Sequence, residues 1–268
     1  MVIPIHDQNP TRNRAYLTLT LIGLNVVIFL LSPAVRDSPT GGGGSARQQC
    51  AEKAYYQRWG AIPIELVHNQ PLVYTEPGAG GSCASVEPSY HKIPLVSAVT
   101  SQFVHAGWLH LLGNMLFLWV FGNNVEDRFG RFRFAVFYLA VGVVATYVYA
   151  FSFPYSTDTL VGASGAIAGV LGAYLMLFPR ARVLTVVVVV PIWLRAWLVL
   201  GLWFVLQAFN AELATNPNAD GGGIGYLVHV VGFVLGLAYG LWFRSRHPPP
   251  YPAAVPPRWP PPGRPPPR

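Results

Sequence analysis

Apolar runs separated by polar segments recur along the chain, at 16–31, 108–121, 132–153, 164–178, 192–209 and 224–243. Most approach the ~17–25 residues that a helix needs to cross a bilayer, although the second and fourth are short. The pattern predicts an all-α membrane protein, a bundle of six transmembrane helices joined by polar loops. Residues 183–190, VLTVVVVV, read either as an extension of the fifth span or as a buried strand-like connector. Pro191 argues against one continuous helix there, because its ring removes a backbone donor and clashes with the preceding turn. The first run follows Arg12 and Arg14 in the manner of a secretory leader. SPAVRDS after it offers no small-x-small cleavage site, so it reads as a retained span.

Composition supports this reading: the 268 residues are 52% hydrophobic and 11% charged, where a soluble chain has about a quarter of its residues charged. With the N-terminus in the cytoplasm, the inner segments hold Arg12, Arg14, Arg128, Arg131, Arg133, Arg180, Arg182, Arg195, Arg244, Arg246, Arg258, Arg264 and Arg268. The outer first loop holds Arg36, Arg47, Lys53, Arg58 and Lys92. That bias sets the orientation and accounts for the net charge of +7. The cations are dispersed and form no aromatic-interleaved patch, which points away from nucleic acid. The organisation expected is a cytoplasmic tail at 1–14, a membrane domain at 15–243 whose long outer first loop covers 32–100, and a proline-rich cytoplasmic tail at 244–268. Such a multi-pass protein, with both termini cytoplasmic, is expected in a bacterial plasma membrane.

Cys50 and Cys83 both lie in the outer first loop, and the sequence leaves open a disulfide or two free thiols. The same loop carries TGGGGS and EPGAGGSCAS, flexible pieces that need not pack. The tail from His247 reads as a disordered extension or as a ligand for a proline-binding partner.

Polar side chains inside the spans are costly in hydrocarbon and call for a reason. Counted from the inner end of each helix, at Phe178, Phe243 and Asn124, Ser164, His229 and His110 each stand 14 residues in, about 21 Å above the inner boundary. The fourth run is too short to start at the outer face, so a water-accessible pocket is expected above it. Gly165, Gly169 and Gly172 form a small-residue face beside Ser164, and Gly232, Gly236 and Gly240 form another beside His229. If these faces meet, hydroxyl and imidazole meet at one depth. Either residue alone is more often a packing hydrogen bond; their coincidence favours chemistry.

Ser164 is the candidate nucleophile and His229 the base that takes its proton. His110 and Asn114, four apart on one helix face, can aim two donors at the oxyanion, beside the free N–H groups at the start of the fourth helix. No carboxylate sits in a span near His229, so a Ser–His dyad is expected instead of a triad. No H-E-x-x-H or comparable metal-ligand pattern is present, and no cofactor is expected.

The set GASGA, HAGWLHLLGN and HVVGFVLG, with RWGAIPIEL and FGNNVEDRFGRFRFAVFY, resembles the rhomboid family of intramembrane serine proteases over about 15–243. By that resemblance Ser164 and His229 are the catalytic pair, and His110, Asn114 and the Ser164 N–H form the oxyanion site. It further implies transmembrane-protein substrates cut near the outer side of the bilayer, without metal or nucleotide. Gly122, Glu126 and Gly130 match a family loop signature, where Glu126 and Arg128 are read as an ion pair. His105 is read as a structural hydrogen-bonding residue, His68 and His91 as solvated, His6 and His247 as tail residues. Two departures stand out: Ala168 where some members carry an aromatic ring against the catalytic histidine, and Val228 where many carry alanine.

A metalloprotease lacks its H-E-x-x-H here, and an aspartyl protease its intramembrane carboxylates. A transporter would need polar groups across the full membrane depth. The rival from another class is an inactive rhomboid-like protein that binds transmembrane helices. Lateral substrate entry is expected at the fifth span, with the glycine-rich loop 216–223 as its hinge.

Overall fold

At the centre two helices touch backbone to backbone, and the rest of the molecule is arranged around that contact. The computed structural model describes residues 2–36, 46–70, 72, 74–77, 83–86, 92–214 and 225–247. The glycine-rich piece at 40–45, the loop 216–223, His91 and the tail from 248 lie outside the described residues.

In chain order the elements are β1 (Val2–Asp7), α1 (Tyr16–Leu30), α2 (Pro33–Arg36), α3 (Ala46–Trp59), α4 (Pro63–His68), β2 (Tyr74–Pro77), β3 (Cys83–Val86) and α5 (Pro94–Thr100). There follow α6 (Trp108–Phe117), a π turn (Leu118–Gly122), α7 (Asn123–Phe129), α8 (Arg131–Ser152), α9 (Ser164–Leu177), β4 (Arg182–Val187), β5 (Val190–Arg195), α10 (Ala196–Ala214) and α11 (Tyr226–Arg246).

Every residue of α9 from Gly165 to Tyr174 is buried, as expected of a helix apolar on all sides. Its glycines set the distance to α11. A side chain at Gly236 would strike the backbone of Gly169, one at Gly232 the carbonyl of Gly165, and one at Gly172 the carbonyl of Phe233. Small residues on both helices remove those obstacles, and dispersion between the backbones takes the place of a hydrophobic force that lipid does not supply. Phe121, Phe134, Tyr138, Ile167, Leu171 and Phe233 complete the core. Toward the C-terminal end of α11 Phe129 packs on Phe243, Tyr239 and Phe137 at ring separations of 4.6, 5.1 and 5.3 Å.

Helices occupy all six predicted positions. By length and composition α8 and α11 are apolar and long enough to cross a membrane, and a bent pair, Pro94–Phe103 with Trp108–Phe129, adds a third candidate. Tyr16–Leu30, Ser164–Leu177 and Ala196–Ala211 are apolar but shorter. The protein is therefore mostly helical, with two to three such candidates.

The expectation of an all-α fold needs correction. β1, β4 and β5 form an antiparallel sheet in that order, with Asp7 opposite Val183 and Thr185 opposite Ile192. Residues 183–190 are thus strand and turn, as one of the two readings above has it, but not buried throughout: Val188 and Val189 are 74% and 80% exposed, and the helix of the fifth run starts at Ala196, not at 192. The segment 1–14 is no free tail: Asp7 Oδ2 accepts from Asn124 Nδ2 at 2.8 Å and from Tyr174 Oη at 2.7 Å. Burial pushes the Asp7 carboxyl above its ordinary value.

The Glu126–Arg128 ion pair is also replaced. Glu126 accepts from the N–H groups of Leu17 and Thr18 at 3.0 and 2.7 Å and from Thr18 Oγ1 at 2.8 Å. It caps the start of α1 from a neighbouring helix, where orphan donors and the helix dipole favour a carboxylate. Arg128 Nη2 donates instead to the His247 carbonyl at 3.1 Å. His247 stacks on Phe243 at 4.4 Å, continuing α11 more than starting a tail. His6 and His68 are exposed.

In the long segment between α1 and α5, Cys50 and Cys83 form a disulfide linking α3 to β3. Lys92 Nζ pairs with Glu65 Oε2 at 2.6 Å and donates to the carbonyls of Gln57 and Gly60 at 2.5 and 2.9 Å. Burial lowers the Lys92 pKa, with Glu65 opposing the shift. The loop reaches the centre of the molecule through a bridge between Ala61 and Leu160, four residues before α9 begins.

Candidate active site

Ser164 opens α9, and the chain approaches it through a fixed turn. Gly162 donates its N–H to the Ser101 carbonyl at 2.8 Å and has φ +117°, a conformation glycine adopts readily. The space excludes a side chain as well, since a Cβ would lie 2.6 Å from His110 Nε2, with Asn114 Nδ2 in ordinary contact at 3.6 Å. The same figures show that both donors of α6 face the segment entering Ser164.

Across the glycine seam His229, in the first turn of α11, stands with its Nε2 2.7 Å from Ser164 Oγ. Its other nitrogen, Nδ1, lies 2.7 Å from Gln207 Oε1 of α10. An amide oxygen only accepts, so Nδ1 carries the proton and Nε2 presents a lone pair to the serine hydroxyl. That is the protonation pattern a general base requires. Trp203 and Tyr226 each place a ring 6.2 Å from the imidazole.

His110 Nδ1 accepts a long hydrogen bond, 3.5 Å, from the Ala106 N–H, which leaves Nε2 as the N–H on the Gly162 side. Asn114 Nδ2 is buried with no acceptor among the described residues. A buried amide donor without a partner costs about 1–3 kcal/mol, and the first-turn N–H groups of α9 likewise lack intrahelical acceptors. Ser164, His229, His110, Asn114 and Gln207 all line one cavity of about 530 Å³. The geometry thus combines a hydroxyl hydrogen-bonded to a neutral imidazole with a set of uncommitted donors around a space large enough for a peptide group.

Gln207 is the residue the sequence reading missed. Its signal was a neutral polar side chain near the end of the apolar run 192–209, four residues after Trp203 and so on its face. Both departures from the family pattern also find a physical place. Ala168 packs toward Gly232, where a large ring would part the helices, and Val228 fills the space beside Gly165. His105 is 1% exposed, and its ring nitrogens have no hydrogen-bond partner among the described residues. It packs edge-on to His110 at 5.1 Å and lies against the Phe103 backbone. Among the described residues no group of three His, Cys, Asp or Glu could hold a metal.

Fold and site together define an integral membrane protein, mostly helical, with a serine–histidine pair at the head of a buried helix. Residues 94–246, more than half of the chain, match the Rhomboid domain family model, and the chain belongs to the rhomboid family. Rhomboid protein 1, mitochondrial, of Saccharomyces cerevisiae is 31% identical over 156 residues, 56% of this chain and 42% of that protein. Rhomboid-like protein 11, chloroplastic, of Arabidopsis thaliana is 29% identical over 170 residues, 59% of this chain and 56% of that one. Rhomboid protease GluP of Bacillus subtilis is 43% identical over 77 residues, 29% of this chain and 15% of its own. The chain thus spans about half the length, or less, of these curated relatives.

Proposed function

We propose that the protein is an intramembrane serine endopeptidase that cuts transmembrane or membrane-anchored proteins near the outer side of the bilayer. The observation that carries this reading is the 2.7 Å hydrogen bond from Ser164 Oγ to His229 Nε2 beside an unpaired Asn114 amide. Six spans enclose the site in this reading, with 15–243 as the peptidase domain, 1–14 and 244–268 on the cytoplasmic side, and a bacterial plasma membrane as its location. A partner for the proline-rich tail belongs to the same proposal.

The reaction follows from the arrangement. Ser164 Oγ attacks the scissile carbonyl carbon as its proton passes to His229 Nε2, and the carbonyl π electrons move onto oxygen. Asn114, His110 and the N–H of Ser164 receive that oxyanion; one such donor is worth about 10²–10³ in rate. Collapse breaks the C–N bond, and the imidazolium gives its proton to the leaving amine. Water, deprotonated by the same imidazole, then hydrolyses the acyl-serine.

The rival, a helix-binding rhomboid-like protein without activity, is separated by one experiment. Full-length protein in liposomes is mixed with a fluorogenic transmembrane peptide and, separately, with a fluorophosphonate. Cleavage and labelling, both lost in Ser164→Ala and cleavage lost in His229→Ala, are expected. Cleavage should also rise with pH as the imidazole loses its proton. Wild-type protein that neither cuts nor labels would leave the helix binder as the better account.

A further inference from the structure

The hydrogen bond between Gln207 and His229 does more than fill space, because it joins the base to a helix that is packed on one side only. α10 is fixed at its inner end, where Ala196, Val199 and Leu200 are buried. Its outer half presents Leu202, Val205, Leu206 and Phe209 to the surroundings, each 46–61% exposed. What holds that half inward is a face one turn apart: Phe204 stacked on Phe233 at 4.7 Å, Trp203 beside the imidazole, and Gln207 on Nδ1.

An imidazole has two neutral tautomers and can turn about its side-chain bonds. Only the form with hydrogen on Nδ1 leaves Nε2 free to take the serine proton, and its orientation is set by whatever accepts the other N–H. The described residues place no carboxylate against His229; the acceptor is an amide. In a site enclosed by hydrocarbon this choice has a physical reason. A carboxylate would add a charge to desolvate, whereas an amide oxygen supplies the acceptor with no charge.

Resting on the Ser–His reading above, we infer that Gln207 is a positioning residue. It holds His229 in the basic tautomer only while the outer half of α10 is packed against α11. Outward movement of that half, pivoting on the buried inner anchor, draws Oε1 away from Nδ1 and releases the ring. Opening the side of the molecule and arming the base are then mutually exclusive: a substrate helix that displaces α10 meets a competent base after α10 has repacked. Binding and chemistry become separate steps, and loss of Gln207 touches the second.

The test compares full-length wild type, Gln207→Leu and Gln207→Glu in liposomes. It measures kcat and KM for a transmembrane peptide, the rate of fluorophosphonate labelling at Ser164, and thermal unfolding. Leucine has similar size and no acceptor; glutamate restores an acceptor. The expected result for Gln207→Leu is a fall in kcat and in labelling rate of about 10–100-fold with KM within about twofold. Gln207→Glu should recover most of both. Equal kcat in wild type and Gln207→Leu overturns the inference, and so does a Gln207→Glu variant as slow as Gln207→Leu while folded. If Gln207→Leu fails to fold, Gln207→Glu decides alone, by keeping labelling within about fivefold of wild type or losing it. Failure of the underlying reading looks different, since wild-type Ser164 itself would then not label.

Discussion

Gly236 of α11 lies against the backbone of Gly169 of α9, so close that a side chain at Gly236 has no room. This contact lies seven residues along α11 from His229 and five along α9 from Ser164, and it sets how far apart those two side chains stand. Gly236→Ala should therefore part the helices. An overpacked core costs about 1–3 kcal/mol, and a separation of even 1 Å at the hydroxyl–imidazole pair can cost about 10²-fold in rate. Gly23→Ala, in α1 with open space around its Cα, should be neutral or slightly stabilising. Thermal unfolding and labelling rate measured on both variants check the contrast; equal behaviour would remove the seam from the account of activity.

Asn114 gives a prediction in which activity and stability move in opposite directions. Its Nδ2 is buried without an acceptor, so Asn114→Ala removes a donor that makes no bond in the folded protein and relieves its desolvation. Unfolding should occur at the same temperature or higher. The oxyanion loses a donor, and kcat should fall by about 10²–10³-fold. A variant that is less stable yet fully active reverses both signs.

How much of this was legible beforehand depends on the range of the interaction. Ser164, His229, His110 and Asn114 were readable because each sits in an apolar run where a polar group is conspicuous, and glycine spacing marks which faces meet. The β1–β4–β5 sheet was not, since VIPIHD is too short to announce a strand and its partner lies about 180 residues away. Nothing local in VLTVVVVV separates a β-branched helix from a strand. Glu126 was seen as charged and given the nearest cation, but its partners are backbone N–H groups of α1, which carry no sequence signature. Gln207 was passed over for the same reason: its meaning depends on where α10 lies against α11.

The Lys92–Glu65 pair in the segment between α1 and α5 is buried on both sides, with side-chain exposures of 2% and 0%. Removing one partner from such a pair leaves a charge without compensation, so Lys92→Met should cost about 3–5 kcal/mol. Adding Glu65→Gln should recover part of that loss, because the remaining buried group is then neutral. A double-mutant cycle on unfolding free energies measures this coupling, and strict additivity would mean that the pair does not hold the loop.

Asp7 makes the β1–β4–β5 sheet sensitive to pH. Its carboxyl is pushed above the ordinary value by burial, against the hydrogen bond from Tyr174. In the window from that ordinary value up to the raised one, the folded chain holds a proton that the unfolded chain has released. Stability therefore falls as pH rises through the window and is fully present below it. Asp7→Asn keeps an oxygen for Asn124 and Tyr174 and has no charge to bury, so it should flatten this dependence and be at least as stable at neutral pH. Unfolding temperatures of both proteins across the acid range decide the matter; parallel curves would mean that Asp7 does not titrate with folding.

The last prediction separates access from chemistry. Phe204 and Phe233 stack at 4.7 Å between α10 and α11, and the two native cysteines are already joined to each other. A Phe204→Cys, Phe233→Cys protein can therefore be oxidised onto a short bifunctional, reductant-cleavable thiol linker, which spans the space the two rings occupied, and the two helices are tied together without competing thiols. Tied, α10 keeps Gln207 on His229, so a small soluble fluorophosphonate should still label Ser164 at a rate within about threefold of the reduced protein, as expected when base and nucleophile are undisturbed. A transmembrane peptide, too wide to pass a closed helix pair, should not be cut until the bond is reduced. Cleavage that continues unchanged in the oxidised protein would move the entrance away from α10. Loss of both labelling and cleavage would instead mean that the base needs α10 to move.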